Sequence, residues 1–104
     1  MGKPFRPLDK VIELVETSGL EVTYAYEDIV FAEHSVFIIQ FDDSKQNNLF
    51  LFFNTECEKE KAIDFETALI TAASQKGITI ENKGWFKLTE NEQNQELQIE
   101  FIEK

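Results

Sequence analysis

The residues best suited to acid–base chemistry lie close together in one short segment of the sequence. Glu27 and Asp28 come just before the apolar run Ile29–Ala32, and Glu33 and His34 come just after it. Carboxylates beside a histidine can exchange protons with a substrate, which is what general acid–base catalysis requires. His34 is the only histidine of the chain, so a multi-histidine metal site is excluded. A small enzyme built on these residues is one hypothesis, and a histidine placed in a tight turn for its backbone is the other.

Cys57 is the only cysteine, and it therefore cannot form a disulfide within the chain. The predicted long helix places it in the first turn, where the helix dipole favours a thiolate. Three neighbouring acids, Glu56, Glu58 and Glu60, oppose that ionisation with full negative charges. We therefore expect a protonated thiol and a structural cysteine rather than a nucleophile.

Two groups of acidic residues, Asp42-Asp43-Ser44 and Glu27-Asp28, raise the question of a metal site. Neighbouring residues on a strand point to opposite faces, and the alternating oxygen ligands and central glycine of a calcium loop are missing. The four glycines, at positions 2, 19, 77 and 84, do not form a phosphate-binding loop or a dinucleotide fingerprint. The sequence thus predicts no metal site, no cofactor and no catalytic residue, and turn chemistry explains both acidic groups.

Two neighbouring predicted strands, Val36–Phe41 and Leu49–Phe53, are apolar on both faces, with Gln40 as the single polar residue. An antiparallel strand with one wet face would alternate apolar and polar residues instead. Leaving the second face in water would cost roughly 6 to 12 kcal/mol, at roughly 1.5 to 3 kcal/mol per large side chain. We therefore expect a cover on both faces, and a helix, a second subunit or a ligand could supply the second one. The second face consists of Val36, Ile38, Phe50 and Phe52.

The segments around these strands predict two amphipathic helices. A short helix with apolar residues at helical spacing starts near Pro7 and ends at Gly19. A long helix is predicted from Glu56 to Lys76, with Thr55 and Glu58 spaced as a capping box. Its apolar arc is about twice as wide as a stripe that faces one core, so it should pack on two sides.

Glu66 falls inside the apolar arc of the long helix, close to Ile70 on the helical wheel. A carboxylate in that position needs a hydrogen-bonding or cationic partner if it is buried. Three interpretations of Glu66 stay open: it is a specificity contact at a helix-mediated interface, it reaches solvent at the rim, or the apolar arc is narrower than this helical wheel indicates.

The predicted fold is α+β, a single globular domain over residues 1–104. It consists of an antiparallel meander of five to seven strands with one long and one short helix, in the order α-β-β-β-β-α-β-β-β. The outer strands should each have one wet face. Leu20, Val22, Tyr24 and Tyr26 alternate with Glu21, Thr23 and Ala25, and Leu97, Ile99 and Phe101 alternate with Gln98 and Glu100. The predicted outer strands are Leu20–Tyr26, Ile29–Ala32, Ile78–Glu81, Trp85–Thr89 and Leu97–Ile102, with a turn at Asn82-Lys83-Gly84.

The charge is strongly acidic, with 20 Asp and Glu against 10 Lys and Arg and a formal net charge of -10. Such a balance disfavours nucleic acid and anionic membrane surfaces as partners, because phosphate binding depends on Lys and Arg. The single cysteine and the lack of an apolar signal core or spanning segment lead us to expect a cytoplasmic location.

These features predict a small acidic protein-binding module without catalytic activity. We expect it to be a homodimer, because only the central strands lack a wet face and a second copy could cover them. The order helix, strands, helix, strands resembles that of type III secretion chaperones, which implies a chaperone-like or adaptor-like role. The alternatives are an immunity-type or antitoxin-type inhibitor steered to a basic partner, a carrier of a hydrophobic ligand, and a small enzyme. The predicted interface consists of Val36, Ile38, Phe50, Phe52, Glu66 and Ile70.

Overall fold

The computed structural model describes residues 8–26, 28–45, 47–91 and 96–103. Two helices and six strands confirm the predicted α+β fold. The predicted start at Pro7 lies outside the described residues. In chain order the elements are α1 (Leu8–Thr17), β1 (Val22–Tyr26), β2 (Ile29–Ala32), β3 (Phe37–Phe41), β4 (Asn48–Asn54), α2 (Lys59–Gln75), β5 (Thr79–Asn91) and β6 (Glu96–Glu103).

The six strands form one curled sheet whose spatial order is the order of the chain, from β1 to β6. Neighbouring strands are antiparallel, except that β4 and β5 are parallel because α2 crosses over between them. The two segments that the sequence separates by a turn at 82–84 are one long strand, β5. A β-bulge takes the place of that turn, since Leu51 pairs with Asn82 but Phe52 pairs with Gly84.

The first hydrophobic core lies between the two helices and one face of the sheet. Val11, Leu14 and Val15 of α1 and Leu69 of α2 are buried in it. The apolar residues at helical spacing therefore face this core, as the sequence predicts. The central strands contribute Phe37, Ile39, Phe41, Leu49, Leu51 and Phe53.

A second, smaller core occupies the opposite face of the central strands. Ile38 and Phe52 are 0% and 3% exposed there, beside the fully buried Phe86 of β5. Leu88 and Ile99, from β5 and β6, pack against the same cluster. The cover that the apolar hairpin demands is therefore supplied within the chain by the curling of its last two strands.

The predicted capping box at the start of the long helix is wrong. Glu58 is the N-cap residue and makes no side-chain capping hydrogen bond. Asn54 instead stabilises the turn that precedes the helix, because its Oδ1 accepts a hydrogen bond from the Glu56 backbone N–H at 2.9 Å. The helix consequently begins at Lys59, three residues later than predicted.

Both helices end in the glycine-capped motif that the sequence predicts. Leu20 donates its backbone N–H to Val15 O, and Gly19 donates to Glu16 O, with a φ of 81° at Gly19. Gly77, with a φ of 70°, ends α2 in the same way. Within the described ranges, neither helix is long and apolar enough to cross a membrane.

Candidate binding surface

A β-bulge in β1 places two tyrosines on the opposite face of the sheet from the one that the sequence predicts. Val22 pairs with Ala32 but Tyr24 pairs with Phe31, so Thr23 is the extra residue. A single inserted residue moves all following side chains to the other face of a sheet. Val22 therefore packs on the first core, whereas Tyr24 and Tyr26 lie on the opposite face, 58% and 57% exposed. The expectation that these three side chains share a buried face is wrong for this reason.

The two tyrosines form an exposed aromatic patch with a neighbour on β2. The Tyr24 and Tyr26 rings are stacked, with centroids 6.5 Å apart and an interplanar angle of 11°. The Tyr24 ring also lies 6.1 Å from the half-buried ring of Phe31. We call Tyr24, Tyr26 and Phe31 the aromatic edge, because β1 is the outermost strand on this side of the sheet.

The backbone of β1 is available for pairing on its outer side. Among the described residues, no strand pairs with β1 other than β2. Native proteins usually protect such an edge with charged side chains, prolines or bulges. The sequence of β1, Val-Thr-Tyr-Ala-Tyr, contains no charge and no proline, and its bulge at Thr23 lies at the start. Three consecutive exposed residues, from Tyr24 to Tyr26, are left unprotected.

Acidic residues surround this neutral edge. Residues 11–44 contain eight Asp and Glu and no Lys or Arg. Glu21 directly precedes β1, and the Glu33 carboxylate lies beside it, accepting the Glu21 backbone N–H at 3.0 Å. Asp28 follows at the other end of the strand, half-buried. An extended segment lying along β1 would therefore have negative potential at both of its ends.

Of the residues that suggested acid–base chemistry, the carboxylates of Asp28 and Glu33 are not brought together. Asp28 and Glu33 lie at opposite ends of β2, roughly 16 Å apart along the strand. Each has a structural partner: Asp28 Oδ2 accepts from Gln40 Nε2 at 3.0 Å, and Glu33 accepts from the backbone of Glu21. Glu27 lies outside the described residues.

His34 occupies a left-handed turn between β2 and β3. Glu33, His34 and Ser35 have φ values of 51°, 56° and 71°, which are uncommon for residues other than glycine. The His34 backbone N–H donates to Thr23 Oγ1 at 2.8 Å, and this contact holds the turn against the β1 bulge. The turn interpretation of His34 agrees with this geometry.

His34 also lines a polar cleft of about 390 Å³ that the sequence did not predict. Glu56 and Lys87 face the same cleft. In the described part of the chain, no side chain forms a hydrogen bond with the His34 ring, so the contact that orients a catalytic histidine is not made.

The environment of Cys57 agrees with the expectation of a protonated thiol. Partial burial raises the pKa of Cys57, the charge of Glu58 raises it further, and Lys61 opposes them. In the described residues, no group of three His, Cys, Asp or Glu side chains is arranged to hold a metal ion.

The Asp42-Asp43-Ser44 segment forms a turn, as predicted. Hydrogen bonds from the Ser44 hydroxyl and from Asn48 Nδ2 to the Asp42 carboxylate lower the pKa of Asp42 from 3.8 to about 2. A carboxylate whose pKa is lowered by folding stabilises the protein above its unfolded pKa and loses that effect as the pH falls.

The stabilisation from Asp42 is therefore expected to be complete above pH 3.8 and to disappear as the pH falls towards 2. In the Asp42→Asn variant, the unfolding free energy from urea denaturation should fall less steeply across this interval than in the wild type. Asp64→Asn removes the same charge from an exposed position of α2 and serves as the matched control. Identical slopes for Asp42→Asn and the wild type would contradict the prediction.

Three of the predicted interface residues are covered by the chain itself. Ile38 and Phe52 are buried in the second core, under the curled strands. Val36 was expected on the same face, but it is half-buried against the first core. The left-handed turn at residues 33–35 explains this correction, because regular strand alternation begins only at Phe37.

The other three predicted interface residues reach the surface. Phe50 is half-buried, with the Lys83 ammonium 5.0 Å from its ring centroid. Ile70 is 43% exposed on α2, on the same side of the helix as Ile63, which is 62% exposed. Glu66 is half-buried and accepts a hydrogen bond from Asn82 Nδ2 at 2.8 Å. An interface role for all six residues stays a prediction.

Glu66 lines an open groove of about 210 Å³ between α2 and β5. Trp85 packs on the first core and forms part of the groove, with its ring 6.4 Å from that of the buried Phe53. The complete lining is Phe53, Lys59, Ala62, Ile63, Glu66, Asn82 and Trp85.

No family model, no curated protein and no solved structure matches this chain. Its function must therefore be inferred from its own surface. Like the cleft beside His34, the aromatic edge is a part of that surface that the sequence did not predict. The signal for that edge was present in the composition of β1, which has two tyrosines and no charge in a chain of net charge -10. Strand alternation assigned the tyrosines to the core, because it takes no account of a bulge.

Proposed function

We propose that the protein is a protein-binding module that takes an extended, basic segment of its partner alongside β1. The observation that carries this proposal is the exposed, uncharged aromatic edge in a strongly acidic surrounding. Strand addition to a free sheet edge is a common way to bind peptides, because the edge offers backbone donors and acceptors in a row. Affinity then comes from the backbone, and the neighbouring side chains determine specificity.

The aromatic edge supplies that specificity. A strand added beside β1 would place alternate side chains on the face that carries Tyr24 and Tyr26. Lys or Arg side chains at those positions can lie over the tyrosine rings, a cation–π contact of about 0.5 to 1 kcal/mol at an exposed site. The acids at both ends of β1, among them Glu21 and Asp28, attract the same cations. Together these contacts favour a segment in which basic residues alternate with β-forming ones.

A second copy of this chain is disfavoured at the same edge. Antiparallel pairing of β1 with itself would place Glu21 of one copy next to residues 27 and 28 of the other, which are also acidic. Like charges in direct opposition destabilise a strand pair. This electrostatic cost favours the basic-partner hypothesis over self-association through β1.

The homodimer predicted from the sequence is the second candidate, and the exposed Ile63 and Ile70 favour α2 as its contact. Sedimentation velocity at micromolar concentration tests it directly. A monomer in the wild type would remove this candidate and leave the strand-addition proposal in place.

The strand-addition proposal can be tested by selecting binders from a random peptide library on the immobilised protein. We expect the enriched peptides to alternate Lys or Arg with β-branched or aromatic residues. On binding, backbone amide exchange should slow in β1. Enrichment of acidic or non-alternating sequences would contradict the proposal.

A matched pair of variants localises the binding. Ala25→Lys puts a charge into the middle of the exposed edge, the device by which native proteins block strand pairing. Thr67→Lys adds the same charge to an exposed position of α2. The affinity for a selected peptide should fall by about tenfold or more in Ala25→Lys and change little in Thr67→Lys. Equal affinities of the two variants for the peptide would show that it does not bind along β1.

A further inference from the structure

We infer that the groove between α2 and β5 is a binding site for a small primary alkylammonium ion. This inference is independent of the aromatic edge and rests on the side chains that line the groove. An organic cation with a short apolar chain needs a carboxylate, an aromatic face and apolar walls. The groove brings these three features together within about 210 Å³.

The carboxylate of Glu66 is held in place by two hydrogen bonds in series. Asn82 Nδ2 donates to Glu66 Oε1 at 2.8 Å, and Asn82 Oδ1 accepts the Gly84 backbone N–H at 2.9 Å. The bulge in β5 thereby fixes the amide of Asn82, and the amide fixes Glu66. In the described residues Glu66 has no ion pair, so its charge is not neutralised by a protein cation.

The geometry of Glu66 favours an ammonium over a guanidinium. A guanidinium binds a carboxylate best through two parallel hydrogen bonds that use both oxygens. Asn82 already donates to Oε1 of Glu66, so a guanidinium fork would have to share that oxygen, whereas Oε2 accepts no hydrogen bond from the described residues. A compact ammonium needs only that one oxygen and remains a point charge.

The other walls complete the site for an alkyl chain. Trp85 provides an indole, the aromatic ring that attracts cations most strongly. Ile63, which is 62% exposed, provides most of the apolar surface for the methylene groups, because Phe53 and Ala62, which also line the groove, are buried. Lys59 also lines the groove, and its exposed ammonium is the one feature that would compete with a bound cation.

Trp85 is the only tryptophan of the chain and lines this groove, so tryptophan fluorescence can follow binding there. Titration of the wild-type protein with n-butylammonium chloride at constant ionic strength should give a saturable change in emission. n-Butanol has the same number of heavy atoms as n-butylammonium but no charge. Its affinity should therefore be lower by about tenfold or more. This comparison needs no variant, and an equal response to both compounds would overturn the inference.

Two variants test the roles of individual residues. Glu66→Gln can still accept the hydrogen bond from Asn82 and removes only the charge, so butylammonium affinity should fall by about tenfold or more. Lys59→Gln removes the competing cation and should strengthen binding. Wild-type affinity in Glu66→Gln would overturn the assignment.

The source of the ammonium group is tested with a lysine derivative. Nα-acetyl-lysine N-methylamide carries the same butylammonium chain together with peptide groups. Affinity no higher than that of butylammonium is expected for a site that binds small amines. Binding about tenfold tighter than butylammonium would overturn that assignment in favour of a lysine side chain of a protein.

Discussion

Phe86→Ala is expected to lower the free energy of unfolding by about 3 to 5 kcal/mol, the range for removing a fully buried aromatic ring. Phe86 is 0% exposed in the second core, beside Ile38 and Phe52. A loss of this size is a large part of the roughly 5 to 15 kcal/mol that stabilises a typical domain. Urea denaturation followed by circular dichroism measures it.

Phe101→Ala provides the matched control. The Phe101 ring lies 4.6 Å from that of Phe52 but is 39% exposed, so its removal creates less cavity and should cost clearly less than the loss of Phe86. Comparable losses for the two variants would show that Phe86 is not enclosed in solution as it is in this fold.

Protein concentration separates an intramolecular second core from one that a partner copy completes. The unfolding midpoint of an obligate dimer rises with protein concentration, whereas that of a monomer does not. Because β5 and β6 cover Ile38 and Phe52, the midpoint of the wild type and the loss in Phe86→Ala should both be independent of concentration. A midpoint that rises with concentration would indicate that a second subunit contributes to the stability.

The apolar hairpin shows how far the sequence could predict this fold. Its two apolar faces required two covers, and the structure has two cores, one on each side of β3 and β4. The supplier of the second cover could not be predicted, because sequence alternation describes single strands and not the curl of a sheet. The sequence predicts Phe86 and Leu88 in a short outer strand, Trp85–Thr89, whereas they belong to the 13-residue β5, which contributes them to the second core.

Two bulges account for most of the remaining differences. The extra residue in β1 exposes Tyr24 and Tyr26, and the one in β5 puts Trp85 on the helix side and Phe86 on the other. Strand periodicity predicts faces correctly only up to the first inserted residue. The sequence singled out Glu66 by its position in an apolar arc. Its partner Asn82 could not be foreseen, because the sequence predicts a turn at residues 82–84, whereas Asn82 belongs to β5 and pairs with Leu51.

Gly84→Ala is the second substitution for which we expect a large effect, at least about 2 kcal/mol. Gly84 has a φ of 130°, and backbone strain of this kind costs about 1 to 3 kcal/mol in a residue with a side chain. Gly84 is also buried and pairs with Phe52, whose ring already packs on Phe101. An added methyl group in a packed region costs a further 1 to 3 kcal/mol or so.

Gly77→Ala is the control that separates these two costs. Gly77 also has a positive φ, of 70°, but an added Cβ would meet no atom within 4 Å, so only the strain of about 1 to 2 kcal/mol remains. Equal losses in the two variants would mean that Gly84 is not packed against the second core.

The same substitution should also disturb the groove, because Gly84 donates its N–H to the amide that holds Glu66. Trp85 fluorescence should therefore change in Gly84→Ala under native conditions and stay at the wild-type value in Gly77→Ala. One glycine would then account for the face on which Trp85 lies, for the packing of Phe52 and for the position of the Glu66 carboxylate. A native emission spectrum in Gly84→Ala would show that the bulge forms without glycine and that the groove does not depend on it.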